Sequence, residues 1–384
     1  MRKRVKILSY FTVVVLTFTM LIGLTSAVQA APSSDIDLAQ QAGQLFIKQR
    51  TQVFPDWVGA SLSNPQTYYD LQGQINAYLF SIQHNDQTIG RIVVGSSLYN
   101  YSVLEAGNEL PPMLPSPSEI TTNLNRDLAI QTDIKSFGSP QLLYLGYDSC
   151  VAVYQIQGQQ VAFDLLHRSF SIESNLKSSL TPPQQYAAIT GTGGVNPNYG
   201  VYEDLLVPLE GMANPSIPQN QRNNNNCGPT SGAMIDEYYS QYRGYAGFDG
   251  WPIDEMDLYT DMCCNQFLWF NGVWPQFAGP GFVYYAKTCW GGPYSFYTNW
   301  DVPTYSEYST VQAYINAECP IMVLFWGSAP YAQWHYCTVR GWWGNNSSGN
   351  DLIINNPWGT TGSEAFVSWD ANWADISLHY LQPN

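Results

Sequence analysis

One cysteine of the chain stands where the sequence pattern turns helical. Cys227 precedes Gly228-Pro229, and Ala233, Met234 and Tyr238 then recur at helical spacing. Proline suits the first turn of a helix, where its missing N–H costs no hydrogen bond. The unpaired amides and the positive dipole end at a helix start favour a thiolate over a thiol. Because a thiolate attacks carbonyl carbons, this segment predicts a nucleophile, with a buried structural cysteine as the alternative.

A nucleophilic cysteine needs a base, and the chain has only four histidines. His335 begins a run of alternating apolar residues that predicts a strand ending at Gly341. His379, near the end of the sequence, is the other histidine after Cys227. A histidine base is oriented by an acceptor on its second ring nitrogen. The side-chain amide of Asn356, which follows a short predicted strand at 351–354, offers such an acceptor.

The order and spacing of these residues resemble the papain-like cysteine peptidases. Asn356-Pro-Trp-Gly is similar to the Asn-Ser-Trp-Gly of that family, and Gln221 stands six residues before Cys227, where the family keeps its oxyanion-hole glutamine. The run Cys-Gly-Pro-Thr-Ser-Gly-Ala-Met most resembles the compact bacterial peptidases related to bacteriocin-processing enzymes, the C39-like group. That group usually has Asp before the proline, so Asn356 departs mildly from its pattern. The resemblance covers roughly residues 213–384.

The resemblance implies an α+β fold with a papain-like two-lobed catalytic domain, in which a helix carries the cysteine and an antiparallel sheet carries the histidine and asparagine. It implies that Cys227 is the nucleophile, that His335 is the general acid–base, and that Asn356 orients the ring. The side chain of Gln221 and the backbone N–H of the cysteine would stabilise the oxyanion. Trp358 would shield the bond between histidine and asparagine, alongside ordinary core packing. No metal-ligand spacing occurs in the sequence, so we expect neither a metal nor a cofactor.

The first 30 residues have the three parts of a secretory signal. Residues 2–6 are rich in Arg and Lys, residues 7–24 are apolar, and Val28-Gln29-Ala30 places small residues ahead of a cleavage site after Ala30. We therefore expect a secreted, extracellular protein with no stable membrane insertion after cleavage. A retained anchor is the alternative, because the apolar stretch is almost long enough to span a bilayer.

Charge and composition exclude some classes of protein. After residue 30, 11 basic residues stand against 30 acidic ones, a net charge of −19. We expect no nucleic-acid partner, because phosphate backbones are bound by Lys and Arg. Aromatic residues make up 15% of the chain, whereas disordered chains have few, so the chain can build folded cores.

Composition also divides the chain into two halves. Twelve of the thirteen Trp follow residue 250, and clusters of Pro, Gly and Asn occupy 181–226. After the signal at 1–30, we predict a separate α+β domain rich in hairpins at 31–180, a linker at 181–212 and the papain-like domain at 213–384.

Two hairpins and one helix are predicted in the first half. An amphipathic helix capped by Ser33 or Ser34 opens it. One hairpin joins 77–83 to 87–95 through His84-Asn85-Asp86, and the other joins 141–156 to 160–166 through Gln157-Gly158-Gln159.

The cysteines leave the disulfides open. Cys263, Cys264, Cys289 and Cys319 permit several pairings, and Cys337 is expected to be a small core residue on the strand of the histidine.

We predict a secreted cysteine peptidase that cleaves proteins or peptides and is made as a zymogen. Its N-terminal domain would inhibit the enzyme until cleavage between about residues 190 and 218. The competing view of that domain is a permanent module that binds substrate or cell wall. Alternative functions are a peptidoglycan amidase or endopeptidase, acyl transfer to an amine as in transglutaminase-like enzymes, and a secreted binding protein with a degenerate site.

Overall fold

The structure is a computed structural model, and it describes most of both halves of the chain. The described residues are 34–128, 138–147, 149–166, 168–172, 201–205, 207, 209, 227–245, 278–283, 296–326, 335–345, 349–358 and 362–383. The predicted signal peptide, Gln221, His167 and the cysteines at 263, 264 and 289 lie outside them.

The N-terminal half combines two helices with nine strands among its described residues. They are α1 (Asp35–Gln49), β1 (Ser61–Leu62), β2 (Gln66–Tyr69), β3 (Ile75–His84), β4 (Gln87–Gly95), β5 (Val103–Gly107), α2 (Pro117–Leu128), β6 (Gln141–Tyr144), β7 (Cys150–Ile156), β8 (Gln159–Asp164) and β9 (Ser169–Ile172).

Local sequence signals account for the predicted helix and hairpins. Ser34 caps α1, and its hydroxyl accepts a hydrogen bond from the backbone N–H of Asp37. The β3–β4 turn at Asn85-Asp86 and the β7–β8 turn at Gln157-Gly158 have positive φ at both residues, as tight hairpin turns require. The predicted long strand at 141–156 is instead split into β6 and β7, which pair with each other in a further hairpin.

The C-terminal half consists of helices packed on an antiparallel sheet. Its elements are β10 (Val201–Asp204), α3 (Cys227–Arg243), β11 (Phe296–Asp301), α4 (Tyr308–Asn316), β12 (Ile321–Phe325), β13 (His335–Asn345), β14 (Gly349–Asn356), β15 (Ser363–Ser368), α5 (Trp369–Asn372) and β16 (Ile376–Pro383), with a further helical turn at 278–283. Helices and a large sheet together make the protein α+β.

The strands of both halves form one continuous sheet. Its order is β11-β16-β12-β13-β14-β15-β5-β4-β3-β2-β6-β7-β8-β9, with β1 added on β3 and β10 on β13. The sequence predicted a separate N-terminal domain, and here the structure differs. Each half alone would leave a strand edge with unpaired N–H and C=O groups, and pairing β5 with β15 satisfies both edges.

The join between the halves is a close antiparallel pairing. Gly107 lies opposite Ala365, and Glu105 lies opposite Val367. The absence of a side chain at Gly107 permits this approach, because a Cβ there would stand 2.5 Å from the backbone oxygen of Glu364.

A shared core reinforces the join. The ring of Phe366 on β15 lies 5.6 Å from that of Phe46 and 5.4 Å from that of Phe54, centroid to centroid. Next to it, Nη2 of the buried Arg50 lies 2.6 Å from Oδ2 of Asp351. Removing either charge would leave the other buried without its partner, so this pair ties α1 to β14.

Part of the predicted linker belongs to the C-terminal half. Val201–Asp204 form β10 on β13, and Leu205 and Val207 are buried in the core of that half. This short segment lies among Pro and Asn clusters that are typical of a linker, so the sequence did not predict a strand there. Its strand conformation depends on pairing with β13, far along the chain.

The described cysteines are all buried: Cys150, Cys227, Cys319 and Cys337. Cys337 is in the core, as predicted. In the part of the chain that the structure describes, no helix has the length and apolarity needed to cross a membrane.

Replacing Phe366 by Ala should lower the free energy of unfolding by about 3–5 kcal/mol, because it opens a cavity between the halves. Unfolding in denaturant, followed by circular dichroism and by tryptophan fluorescence, should show both halves losing stability in one transition. Leu98→Ala, at a half-exposed side chain, is the control and should shift stability by no more than about 0.5 kcal/mol. Two separate transitions, only one of which moves, would refute the shared core.

Candidate active site

Cys227 is the first residue of α3, at the helix start that the sequence predicted. Its side chain is buried, with 6% of the residue exposed. The hydroxyl of Thr338 on β13 donates to the backbone oxygen of Ser231 at 3.0 Å. This bond fixes the first turns of α3 against the strand that carries His335.

His335 is the first residue of β13 and lies opposite Phe325 of β12. It is 4% exposed, and its ring forms a hydrogen bond with the thiol of Cys227. The other side of the ring faces Asn356, since Nε2 lies 2.7 Å from Oδ1 of that amide. An amide oxygen only accepts, so Nε2 donates, and Nδ1 is left for the thiol.

The sheet register explains why histidine and asparagine meet. Thr338 of β13 lies opposite Asn355 of β14, so the next pair places Cys337 beside Asn356. His335 is two residues from Cys337 and therefore shares its face of the sheet. Diagonal neighbours on one face of an antiparallel pair are within reach of long side chains.

The amide of Asn356 is completely buried and fully hydrogen-bonded. Its Oδ1 accepts from Nε2 of His335 and, at 3.1 Å, from the backbone N–H of Trp358. Its Nδ2 donates to Oε1 of Glu109 at 2.8 Å and to the hydroxyl of Tyr147 at 3.0 Å. These four bonds use the full donor and acceptor capacity of an amide.

An indole ring covers the histidine. The ring of Trp358 is stacked on that of His335, with centroids 5.0 Å apart and planes 12° apart. The partly buried indole therefore keeps water from one face of the imidazole, and the exclusion of water strengthens the hydrogen bond to Asn356.

Opposing influences act on the pKa of the Cys227 thiol. Burial is the largest and raises the pKa, because a buried thiolate loses its hydration. The hydrogen bond to His335 and the charge of that ring lower it, and backbone hydrogen bonds at Tyr336 and Gly228 lower it further. The result is a pKa below that of an ordinary cysteine, so the site favours the thiolate.

The second histidine of this half has a different environment. His379 is fully buried on β16, with Nε2 3.3 Å from the hydroxyl oxygen of Ser377. Burial lowers the pKa of His379 to about 4, so its ring is neutral at ordinary pH. Within the described residues, no group of three or more His, Cys, Asp or Glu could hold a metal ion.

Three of the four predicted site residues are thus brought together: Cys227, His335 and Asn356. The fourth, Gln221, lies outside the described residues. Sequence reasoning did not identify Glu109 and Tyr147, which precede Asn356 by 247 and 209 residues. Neither residue stands in a motif, and the pairing of β5 with β15, two strands far apart in the chain, helps to bring their half to the site.

A comparison with protein families agrees with this geometry. Residues 215–380 match the family model described as the Peptidase_C39 like family. The matched region contains α3, β13 and β14, and therefore all three residues of the site. No curated protein matches the chain. Residues 215–380 are therefore a papain-like cysteine peptidase domain, a hydrolase, of the C39-like family.

Proposed function

We propose that the protein is a secreted cysteine peptidase that hydrolyses peptide bonds through Cys227, His335 and Asn356. The observation that carries this proposal is the continuous chain of hydrogen bonds from thiol to imidazole to amide, within a C39-like domain. The lowered pKa of the thiol supports the role of the cysteine as nucleophile.

In the first half of the reaction, the thiolate of Cys227 attacks the carbonyl carbon of the peptide bond. A C–S bond forms, and the π electrons of the carbonyl move to its oxygen. When this intermediate collapses, the C–N bond breaks, and the departing amine takes a proton from His335. The acyl group remains on Cys227 as a thioester.

In the second half of the reaction, the neutral ring of His335 takes a proton from water. The water oxygen attacks the thioester, and the C–S bond breaks to release the carboxylic acid. The thiolate of Cys227 is left beside a protonated imidazole, as at the start. Throughout, Asn356 keeps Nε2 protonated and directs Nδ1 to the sulfur.

The intermediate carries a negative oxygen that needs hydrogen-bond donors. The backbone N–H of Cys227, at the start of α3, supplies one and benefits from the positive end of the helix dipole. By the resemblance described above, the side-chain amide of Gln221 supplies the second.

We also propose that the chain is made as a zymogen, cleaved in the predicted linker on either side of β10. The paired strands β5 and β15 and the ion pair of Arg50 with Asp351 support a restricted form of this hypothesis. In it, the N-terminal half stays bound after the linker is cut, rather than being released as an inhibitor.

Replacing Cys227 by Ala should lower casein hydrolysis by at least about a thousandfold, because the nucleophile is lost. The measurement compares wild type and variant in a thiol reductant, on casein and separately on purified cell wall. Cys319→Ala, which removes a second buried cysteine side chain of the same half, is the matched control and should retain activity.

The same assay separates the alternatives. Clearing of the cell wall while casein survives would replace the peptidase by a peptidoglycan amidase or endopeptidase. If wild type changes neither substrate, the binding-protein alternative takes over. If the uncut wild-type chain is fully active, the zymogen proposal is wrong.

Alkylation of Cys227 by iodoacetamide should reach its half-maximal rate below about pH 8.5, the pKa of a free cysteine. In His335→Ala the curve should move to higher pH, because burial still raises the pKa while the lowering influence of the ring is gone. Rates measured by mass spectrometry across pH test this. Superimposable curves for the two proteins would show that the ring does not stabilise the thiolate.

Secretion predicts a defined N-terminus. The protein recovered from the culture medium should begin at Ala31, because the small residues at 28–30 suit a signal peptidase. N-terminal sequencing checks this. A mature protein that keeps residues 1–30 and stays with the membrane fraction would support the retained anchor instead.

A further inference from the structure

Both hydrogens of the Asn356 amide meet acceptors from the N-terminal half of the chain. Nδ2 donates to Oε1 of Glu109 at 2.8 Å and to the hydroxyl oxygen of Tyr147 at 3.0 Å. Asn356 itself is completely buried, so water does not replace these partners. The side chain that faces the candidate base is therefore held from outside the matched peptidase region.

These acceptors decide which way the amide points. With Oδ1 toward His335, every contact joins a donor to an acceptor. Flipping the amide by 180° would aim Nδ2 at the backbone N–H of Trp358, which can only donate. It would also aim Oδ1 at the carboxylate of Glu109. A buried amide with clashing partners loses several hydrogen bonds, so the network allows one orientation.

The sheet register brings Glu109 to this place. Gly107 lies opposite Ala365, so continuing the ladder sets Glu109 opposite Ser363, and Ser363 in turn pairs with Asn356. The hydroxyl of Ser363 donates to Oε1 of Glu109, the oxygen that also accepts from Asn356. Nη2 of the buried Arg91 lies 2.6 Å from the other oxygen, Oε2. The carboxylate is thus held at both ends.

Tyr147 reaches the site from the turn between β6 and β7. It is 5% exposed and packs in a cluster whose other described members all lie after residue 200. Its ring lies 4.6 Å, centroid to centroid, from that of Phe325, the residue opposite His335 on the neighbouring strand. This packing fixes the hydroxyl next to the amide.

We propose that Glu109 and Tyr147 are positioning residues, which hold the amide of Asn356 with its oxygen toward His335. This inference rests on the peptidase function proposed above. It makes the N-terminal half a part of the catalytic unit, since two of its side chains complete the hydrogen bonding of the site.

The contribution of Glu109 is orientation more than charge. Arg91 lies against its carboxylate at 2.6 Å and offsets the negative charge that would otherwise act on the imidazole. A neutral acceptor at position 109 should therefore preserve part of kcat, whereas loss of the acceptor should lower kcat further. This distinguishes Glu109→Gln from Glu109→Ala.

The test is a double-mutant cycle on the secreted protein after the linker is cut, with both halves of the chain still bound to each other, and with kcat and KM measured on a peptide substrate. Tyr147→Phe keeps the ring and removes the acceptor, so kcat should fall about threefold to tenfold with little change in KM. Asn356→Ala should lower kcat about 100-fold, because the imidazole loses its orientation. In the Asn356→Ala background, Tyr147→Phe should cost less than about twofold, because no amide remains to be held.

The same cycle applies to Glu109. Glu109→Ala should lower kcat by about tenfold or more, since hydrogen bonds to charged groups are the stronger ones, and Glu109→Gln should lose less. Both effects should vanish in the Asn356→Ala background. Tyr239→Phe is the matched control. It removes a buried hydroxyl of the same cluster that donates to the backbone oxygen of Leu381, and it should leave kcat within about twofold.

The outcomes are distinguishable. Equal losses from Tyr147→Phe in both backgrounds would mean that its hydroxyl acts on folding alone and would overturn the inference, as would no loss in either. Those results leave the peptidase function standing if Cys227→Ala is inactive. A Cys227→Ala variant as active as wild type would instead overturn the proposed function.

Discussion

The 2.7 Å hydrogen bond between His335 and Asn356 is the interaction on which the chemistry of the site depends. A neutral imidazole has two tautomers, and only the one with a proton on Nε2 leaves Nδ1 free to exchange a proton with sulfur. Both side chains are nearly or wholly buried, so the bond acts in a medium of low polarity. In such a medium the hydrogen bond is strong, and a donor or acceptor left without a hydrogen bond destabilises the fold. The stacked indole of Trp358 adds to this exclusion of water.

That bond requires a fold that extends beyond the matched peptidase region. A buried amide is stable only if its remaining groups are also paired, and here the pairing comes from Glu109 and Tyr147. Those residues are available because β5 continues the sheet past β15. The shared core around Phe366 and the buried contact of Arg50 with Asp351 then hold the halves together against the tendency of two domains to move apart.

Whether the sequence predicts a feature depends on how far apart along the chain the interacting residues lie. Cys227, His335 and Asn356 were predictable, because each stands in a short run whose residues also set its local structure. The hairpin turns at Asn85-Asp86 and Gln157-Gly158 were predictable for the same reason, since two residues determine the turn. The roles of these residues in catalysis stay predictions.

The features that the sequence did not predict depend on pairings between segments that are distant along the chain. Nothing in the sequence near β5 or β15 indicates that these strands pair across more than 250 residues. The strand β10 was hidden inside a run of loop-forming residues, because only its partner β13 makes it a strand. Glu109 and Tyr147 were missed because their function is created by that long-range register, and neither lies in a motif of its own.

The most direct measurement is ¹⁵N NMR of the imidazole nitrogens of His335 in protein labelled at its four histidines, with the His335→Ala spectrum giving the assignment. We expect Nε2 of His335 to carry a proton at every pH at which the protein is folded, and only Nδ1 to titrate. We also expect the Nε2 proton to exchange slowly with water in wild type and rapidly in Asn356→Ala. A neutral ring protonated on Nδ1, or an Nε2 proton whose exchange rate does not change in Asn356→Ala, would show that Asn356 does not set the tautomer of His335.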